Sequence, residues 1–109
     1  MADKAWKAAE RSIAKSFGAL RNSLSGGNSK LTKSDTTHPR LFIEVKWRVK
    51  HTAVTLWDKT KVLASGEGKR PVVALREKGR PGFWVLVHIN DLRAVADELV
   101  EEVPDAESQ

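Results

Sequence analysis

Two apolar runs, "PVVALRE" at 71–77 and "GFWVLVHI" at 82–89, constrain this chain more than any other feature. Both are apolar on both faces for most of their length, the pattern of central strands covered from two sides. The linking "KGRPG" carries the glycines and the proline of a turn, so the runs are predicted to be consecutive strands. Covering such strands requires helices, and three segments qualify. In residues 4–22, Trp6, Ala9, Ile13, Phe17 and Leu20 recur at helical spacing, with Asp3 as N-cap. In 52–64, Ala53, Leu56, Trp57, Thr60, Leu63 and Ala64 share a face, with Thr52 to cap the helix and Gly66 to end it. Asn90 can cap a last helix reaching about residue 102, with Leu92, Val95, Ala96 and Leu99 on its apolar face. Further strands are predicted at 31–37 and 41–48. The element order implies an α/β chain with a mixed (α+β) sheet and helices on its faces.

A length of 109 residues fits a single domain, here 1–103, followed by an acidic tail at 104–109. A core this small is readily supplemented by dimerisation. No cysteine is present, which excludes disulfides and thiolate metal sites. No apolar run approaches the ~20 residues of a membrane span, and the N-terminus has no signal-peptide core, so a soluble, intracellular (cytoplasmic) protein with no membrane partner is expected. The net charge of +5 hides an asymmetry: residues 97–109 hold six acids and no Lys or Arg, and the remaining body stands at +11. A body that basic is the electrostatic footprint of a nucleic-acid partner, though evenly spread surface charge gives the same total.

The stretch "DTTHPRLFIEVKWR", 35–48, carries the chemistry. Along 41–48, Leu41, Ile43, Val45 and Trp47 alternate with Phe42, Glu44, Lys46 and Arg48, so one face is core and the other opens into charge. A two-residue turn at His38–Pro39 puts Asp35 opposite Phe42 and diagonal to Glu44, at roughly 5–8 Å. A longer loop changes that register. Two carboxylates so close call for a cation between them, and a hard divalent ion such as Mg²⁺ takes oxygen ligands. Glu10, on or beside the apolar stripe of the first helix, needs a partner as well: a metal, a basic side chain, or water at the stripe's edge. Lys46 has the alternative of an ordinary surface pair with Glu44. Trp47 and Trp57 read as core, and His38, His51 and His88 lack zinc-ligand spacing.

Glu10-Arg11 in a helix, then Asp35, then Glu44-Val45-Lys46, with the Ser-Gly-rich "RNSLSGGNS" (21–29) between, resembles the PD-(D/E)xK nuclease superfamily. Within it, the likeness is to archaeal-type and phage Holliday junction resolvases and spans about residues 5–90. The resemblance implies a restriction-endonuclease-like αβββαβ core and Mg²⁺- or Mn²⁺-dependent phosphodiester hydrolysis. Asp35, Glu44 and the Val45 carbonyl would ligate the metal, with Glu10 joining directly or through water. Lys46 would position water or stabilise phosphoryl charge. Arg21, Ser25, Lys30 and Lys33 from the loop, with Arg48 and Lys50, would hold branched or duplex DNA by its phosphates. The sequence departs from the family at Ser34, where many members carry proline. A homodimer would present two sites to the two symmetric strands of a junction. The alternatives are another small phage-type nicking or homing-type nuclease, or a non-catalytic nucleic-acid-binding module of the same fold.

Overall fold

The first helix stops earlier than its apolar stripe, and a glycine stops it. In the computed structural model, which describes residues 4–23 and 32–100, α1 runs Ala5–Ser16. Gly18 takes the left-handed conformation at φ 67°. The amides of Gly18 and Ala19 then turn back onto the carbonyls of Lys15 and Ala14, at 3.0 and 2.8 Å. This is a Schellman end, which needs a residue that tolerates positive φ. The same device closes α2, Thr52–Gly66. There Gly68, at φ 66°, takes the left-handed position, and Lys69 N–H reaches Ala64 O at 3.0 Å. Gly66, expected to end α2, is its last helical residue instead. At the N-terminus of α2 the cap is His51, without a side-chain cap bond, rather than Thr52. Asp3 lies outside the described residues, and the cap position of α1 is Lys4.

The chain gathers into two compact units, Met1–Val49 and Lys50–Gln109. In the first, ending α1 early frees residues 20–22 to run extended beside 35–37. Arg21 and Thr36 form an antiparallel bridge, flanked by Asn22 N–H to Asp35 O at 2.9 Å and Thr37 N–H to Leu20 O at 3.0 Å. The segment 41–48 joins no regular ladder, which corrects the expected strand there. A regular antiparallel pair exchanges two N–H···O bonds. Asp35 instead gives its N–H to Ile43 O, at 3.0 Å, and its carbonyl to Asn22. The missing strand partner is replaced by a side chain: Ser34 Oγ accepts from Ile43 N–H at 2.8 Å and donates to Ile43 O at 3.0 Å.

This first unit buries polar groups where a small domain usually buries apolar ones. Among the described residues of this unit, Glu10, Ala14, Asn22, Ser34, Asp35 and Thr36 are buried. Trp6, Phe17, Leu20 and Trp47, expected in the core, are all exposed, and the inner face of α1 is centred on Glu10 and Ala14. Buried polar groups are costly unless bonded, and here they are: Asn22 donates to Thr32 O and Ser34 O, and Thr36 N–H reaches Ser34 Oγ. Ser34→Ala would strip acceptors from two amides at a site only 2% exposed. We expect it to lower stability by about 2 kcal/mol, read from the denaturant midpoint.

The second unit contains α2, an antiparallel hairpin, a 3-10 turn at Ile89–Asp91 and α3, Leu92–Asp97. The hairpin pairs β1, Val73–Leu75, with β2, Trp84–Leu86, in the register Val73↔Leu86, Ala74↔Val85, Leu75↔Trp84. Its turn closes through Arg80 N–H to Glu77 O at 3.1 Å, with Gly79 at φ 81° in the position that requires a positive angle. The strands lie inside the two apolar runs. They do not form the buried sheet centre that those runs predict, because Leu75, Trp84 and Val85 are exposed. His88 caps the 3-10 turn, its side chain accepting from Asn90 N–H at 3.1 Å, and the cap position of α3 is Asp91, without a side-chain cap bond, rather than Asn90. Secondary structure among the described residues is thus helices with one small antiparallel sheet, an α+β content. No helix among them is long and apolar enough to cross a membrane. The tail at 104–109 lies outside the described residues.

Candidate functional site

Every residue expected to do chemistry falls in the first unit, and the structure holds each in a specific way. Asp35 is only 8% exposed, yet its carboxylate does not hang free. Oδ2 accepts the Val45 amide at 2.6 Å, so the carboxylate rests against the peptide that joins Glu44 to Val45. A charge-assisted bond of this length is among the stronger hydrogen bonds a protein makes. It ties the acid of one segment to the centre of the Glu44-Val45-Lys46 triplet in the other. Among the described residues, Oδ1 takes no hydrogen bond.

The register differs from the simplest expectation. With Asp35 bonded to Ile43 O rather than placed opposite Phe42, the connection is one residue longer than a two-residue turn. His38 fills it, its Nδ1 accepting from both Arg40 and Leu41 N–H at 3.0 Å. Asp35 meets the backbone of Val45 through its side chain. Glu44 is half-exposed and pairs with Lys46 at 3.0 Å, a contact worth at most about 1 kcal/mol in water.

Glu10 has found a basic partner. Its Oε1 takes Arg21 Nε at 2.6 Å, with the two side chains only 9% and 15% exposed. The Arg21 guanidinium also lies 5.2 Å from the centroid of the Trp6 ring. Arg21, expected to grip DNA, is thus held inside the unit. Among the described residues, no group of three or more His, Cys, Asp or Glu is placed to hold a metal ion. Of the other basic residues, Lys33 and Arg48 are exposed in the first unit and Lys50 in the second. Ser25 and Lys30 lie outside the described residues.

Three residues that build the site escaped the sequence reading: Asn22, Ser34 and Thr36. The signal for Ser34 was present in its departure from proline. A proline at 34 has neither the hydroxyl that holds Ile43 nor the N–H that Ser34 donates to Thr32 Oγ1 at 3.0 Å. Ser, Asp and Thr side chains compete for nearby backbone groups, and a "SDTT" run is where such bonds form. No family model, no curated protein sequence and no solved structure matches this chain.

Proposed function

We propose that the chain is a metal-dependent DNA endonuclease, selective for branched DNA, with Asp35, Glu44 and Lys46 at its reactive centre. The observation that carries the reading is the bond from the Val45 amide to Asp35, which brings a buried carboxylate to the Glu44–Val45 peptide. The donors this stretch would offer are hard oxygens: the Asp35 and Glu44 carboxylates and the Val45 carbonyl. That set fits Mg²⁺ or Mn²⁺, since Mg²⁺ is typically held by one or two carboxylates with waters and phosphate oxygens completing the shell. A cation held by Asp35, Glu44 and Val45 would polarise the scissile phosphate and activate a water. Lys46, released from Glu44, would face the phosphate and stabilise charge gathering on its oxygens. The burial of Asp35 fixes that carboxylate in advance, so little ordering remains for the moment of reaction. Glu10 would join the centre when Arg21 turns from it to a DNA phosphate. A homodimer would place two such centres on opposite strands.

A second reading has its own support. With Glu10 bonded to Arg21 and Glu44 to Lys46, the unit also suits a nucleic-acid-binding module without catalysis. Incubating the protein with labelled four-way junction, flap, duplex and single-stranded DNA separates the two. The nuclease reading expects cleavage of branched DNA in Mg²⁺ and none in EDTA. Binding with no cleavage in either Mg²⁺ or Mn²⁺ selects the module.

A further inference from the structure

The hairpin of the second unit ends in a group of side chains that a simple turn does not require. A groove of about 460 Å³ is lined by Leu75, Arg76, Glu77, Arg80 and Trp84. Its floor is built by register: Leu75 and Trp84 are directly paired across the strands, so their side chains stand on one face. Both are exposed, Trp84 by 47%. The Arg80 guanidinium lies 4.6 Å from the centroid of the Trp84 ring, and its Nη1 is steadied by Glu77 Oε1 at 3.2 Å. A flat cation is thus laid on a flat aromatic, at the mouth of an open groove. The turn adds Lys78, so three cations face one acid over 76–80.

We propose that this hairpin tip is a second nucleic-acid contact, a platform on which an unpaired base stacks while Arg76 and Arg80 hold its phosphates. Single-stranded nucleic acid is bound in this way elsewhere, by aromatic faces and arginine planes beside a basic track. The volume lies within the range of sites that enclose small ligands, about 300–1,000 Å³. Charge selects this occupant over a second copy of the chain. A twofold contact through the tip would bring Arg76, Lys78 and Arg80 against their own equivalents, whereas a phosphate backbone complements them. The proposal rests on the reading of the chain as a nucleic-acid binder but not on cleavage. Its place on the second unit, away from Asp35 and Glu44 in the sequence, allows the two to be tested apart. For a branched substrate, it assigns this surface to the unstacked bases at the branch.

The test is binding in EDTA to a thymidine oligonucleotide of about 15 nucleotides, long enough for a typical single-strand site. The wild type is expected to bind with quenching of tryptophan fluorescence. Trp84→Ala should weaken binding about tenfold, and Arg80→Ala should reduce the salt slope by about one. Trp84→Phe keeps an aromatic face, so it should bind within about threefold of wild type while losing the Trp84 share of the quench. That variant, with its thermal midpoint checked, guards against a collapsed hairpin in Trp84→Ala. Unchanged affinity in both Trp84→Ala and Arg80→Ala overturns the platform. So does a wild type that binds duplex or junction DNA but not the oligonucleotide. A Trp84→Phe or Arg80→Ala protein that changes sedimentation mass without changing DNA affinity overturns it in favour of a chain–chain contact. A wild type that binds no DNA of any form defeats both this proposal and the nucleic-acid reading beneath it.

Discussion

Asp35→Asn is expected to abolish cleavage while leaving the protein folded and its DNA affinity in EDTA equal to wild type or higher. The carboxylate supplies two things, and the variant removes them unequally. The asparagine carbonyl can still accept the Val45 amide, so the tie to the Glu44–Val45 peptide survives in weakened form. Exchanging a charged acceptor for a neutral one should lower stability by about 1 kcal/mol. The loss of an anionic ligand is far larger for the reaction. Charge stabilisation of several kcal/mol, at 1.36 kcal/mol per tenfold, corresponds to a fall on the order of a thousandfold in single-turnover rate. Glu44→Gln provides the control without the structural cost. Glu44 is half-exposed and pairs with Lys46, so the stability of Glu44→Gln should stay within about 0.5 kcal/mol of wild type while cleavage falls as far. Both variants require a DNA-affinity titration, a denaturation curve and single-turnover cleavage in Mg²⁺. If Asp35→Asn loses binding and cleavage in parallel with its folded fraction, Asp35 is a structural acid. Near-wild-type cutting by Glu44→Gln would remove the proposed centre altogether.

What the sequence could and could not reveal divides along physical lines. The hairpin was legible because turn chemistry is local: the Gly79 angle and the "KGRPG" stretch act over a few residues. The existence of α1 and α2 followed from periodicity, and their ends did not, because Gly18 and Gly68 act by a conformation that an apolar pattern does not encode. Alternation along 41–48 implied a strand, and the structure has no ladder there. It could not show that Ser34 and Asp35 side chains would replace a neighbouring strand, since alternation reports faces and says nothing of what satisfies the amides. The need of Glu10 for a partner was visible from its place on the stripe. The identity of that partner was not, because Arg21 lies 11 residues away, beyond helical spacing and brought back only by the turn at Gly18. Several apolar residues of the two runs, Leu75, Trp84 and Val85 among them, stand exposed, because composition states a tendency to be buried and not which surface does the covering.

Arg21→Ala is expected to destabilise the protein more than any other single change to a basic residue, by about 3–5 kcal/mol. The reason is asymmetric. Glu10 is buried, and its close ionic bond goes to Arg21 Nε at 2.6 Å. Removing the arginine leaves a carboxylate out of water without that counter-charge, a far worse state than an apolar pair of the same size. It also removes the guanidinium over Trp6 and opens space beside the Arg21–Thr36 bridge. Glu10→Gln should be milder, because the amide oxygen can still accept from Nε and arginine, partly exposed, can reach water. A double-mutant cycle checks the origin of the effect. Measured with Glu10→Leu and Arg21→Leu as the single variants, the Glu10→Leu/Arg21→Leu double variant should be more stable than Arg21→Leu alone, since it leaves neither charge buried, and the coupling between the two sites should exceed about 1 kcal/mol. Additive single effects would mean that the pair contributes only packing. The same cycle bears on function. If Arg21 guards Glu10 until DNA arrives, Glu10→Gln should lose cleavage but keep the salt slope of binding. A grip by Arg21 on DNA phosphate should instead appear in Arg21→Lys, which retains the charge but not the Nε geometry. Equal affinity and equal salt slope in Arg21→Lys and wild type, with cleavage intact, would show that the Glu10–Arg21 pair is a structural tie and never opens.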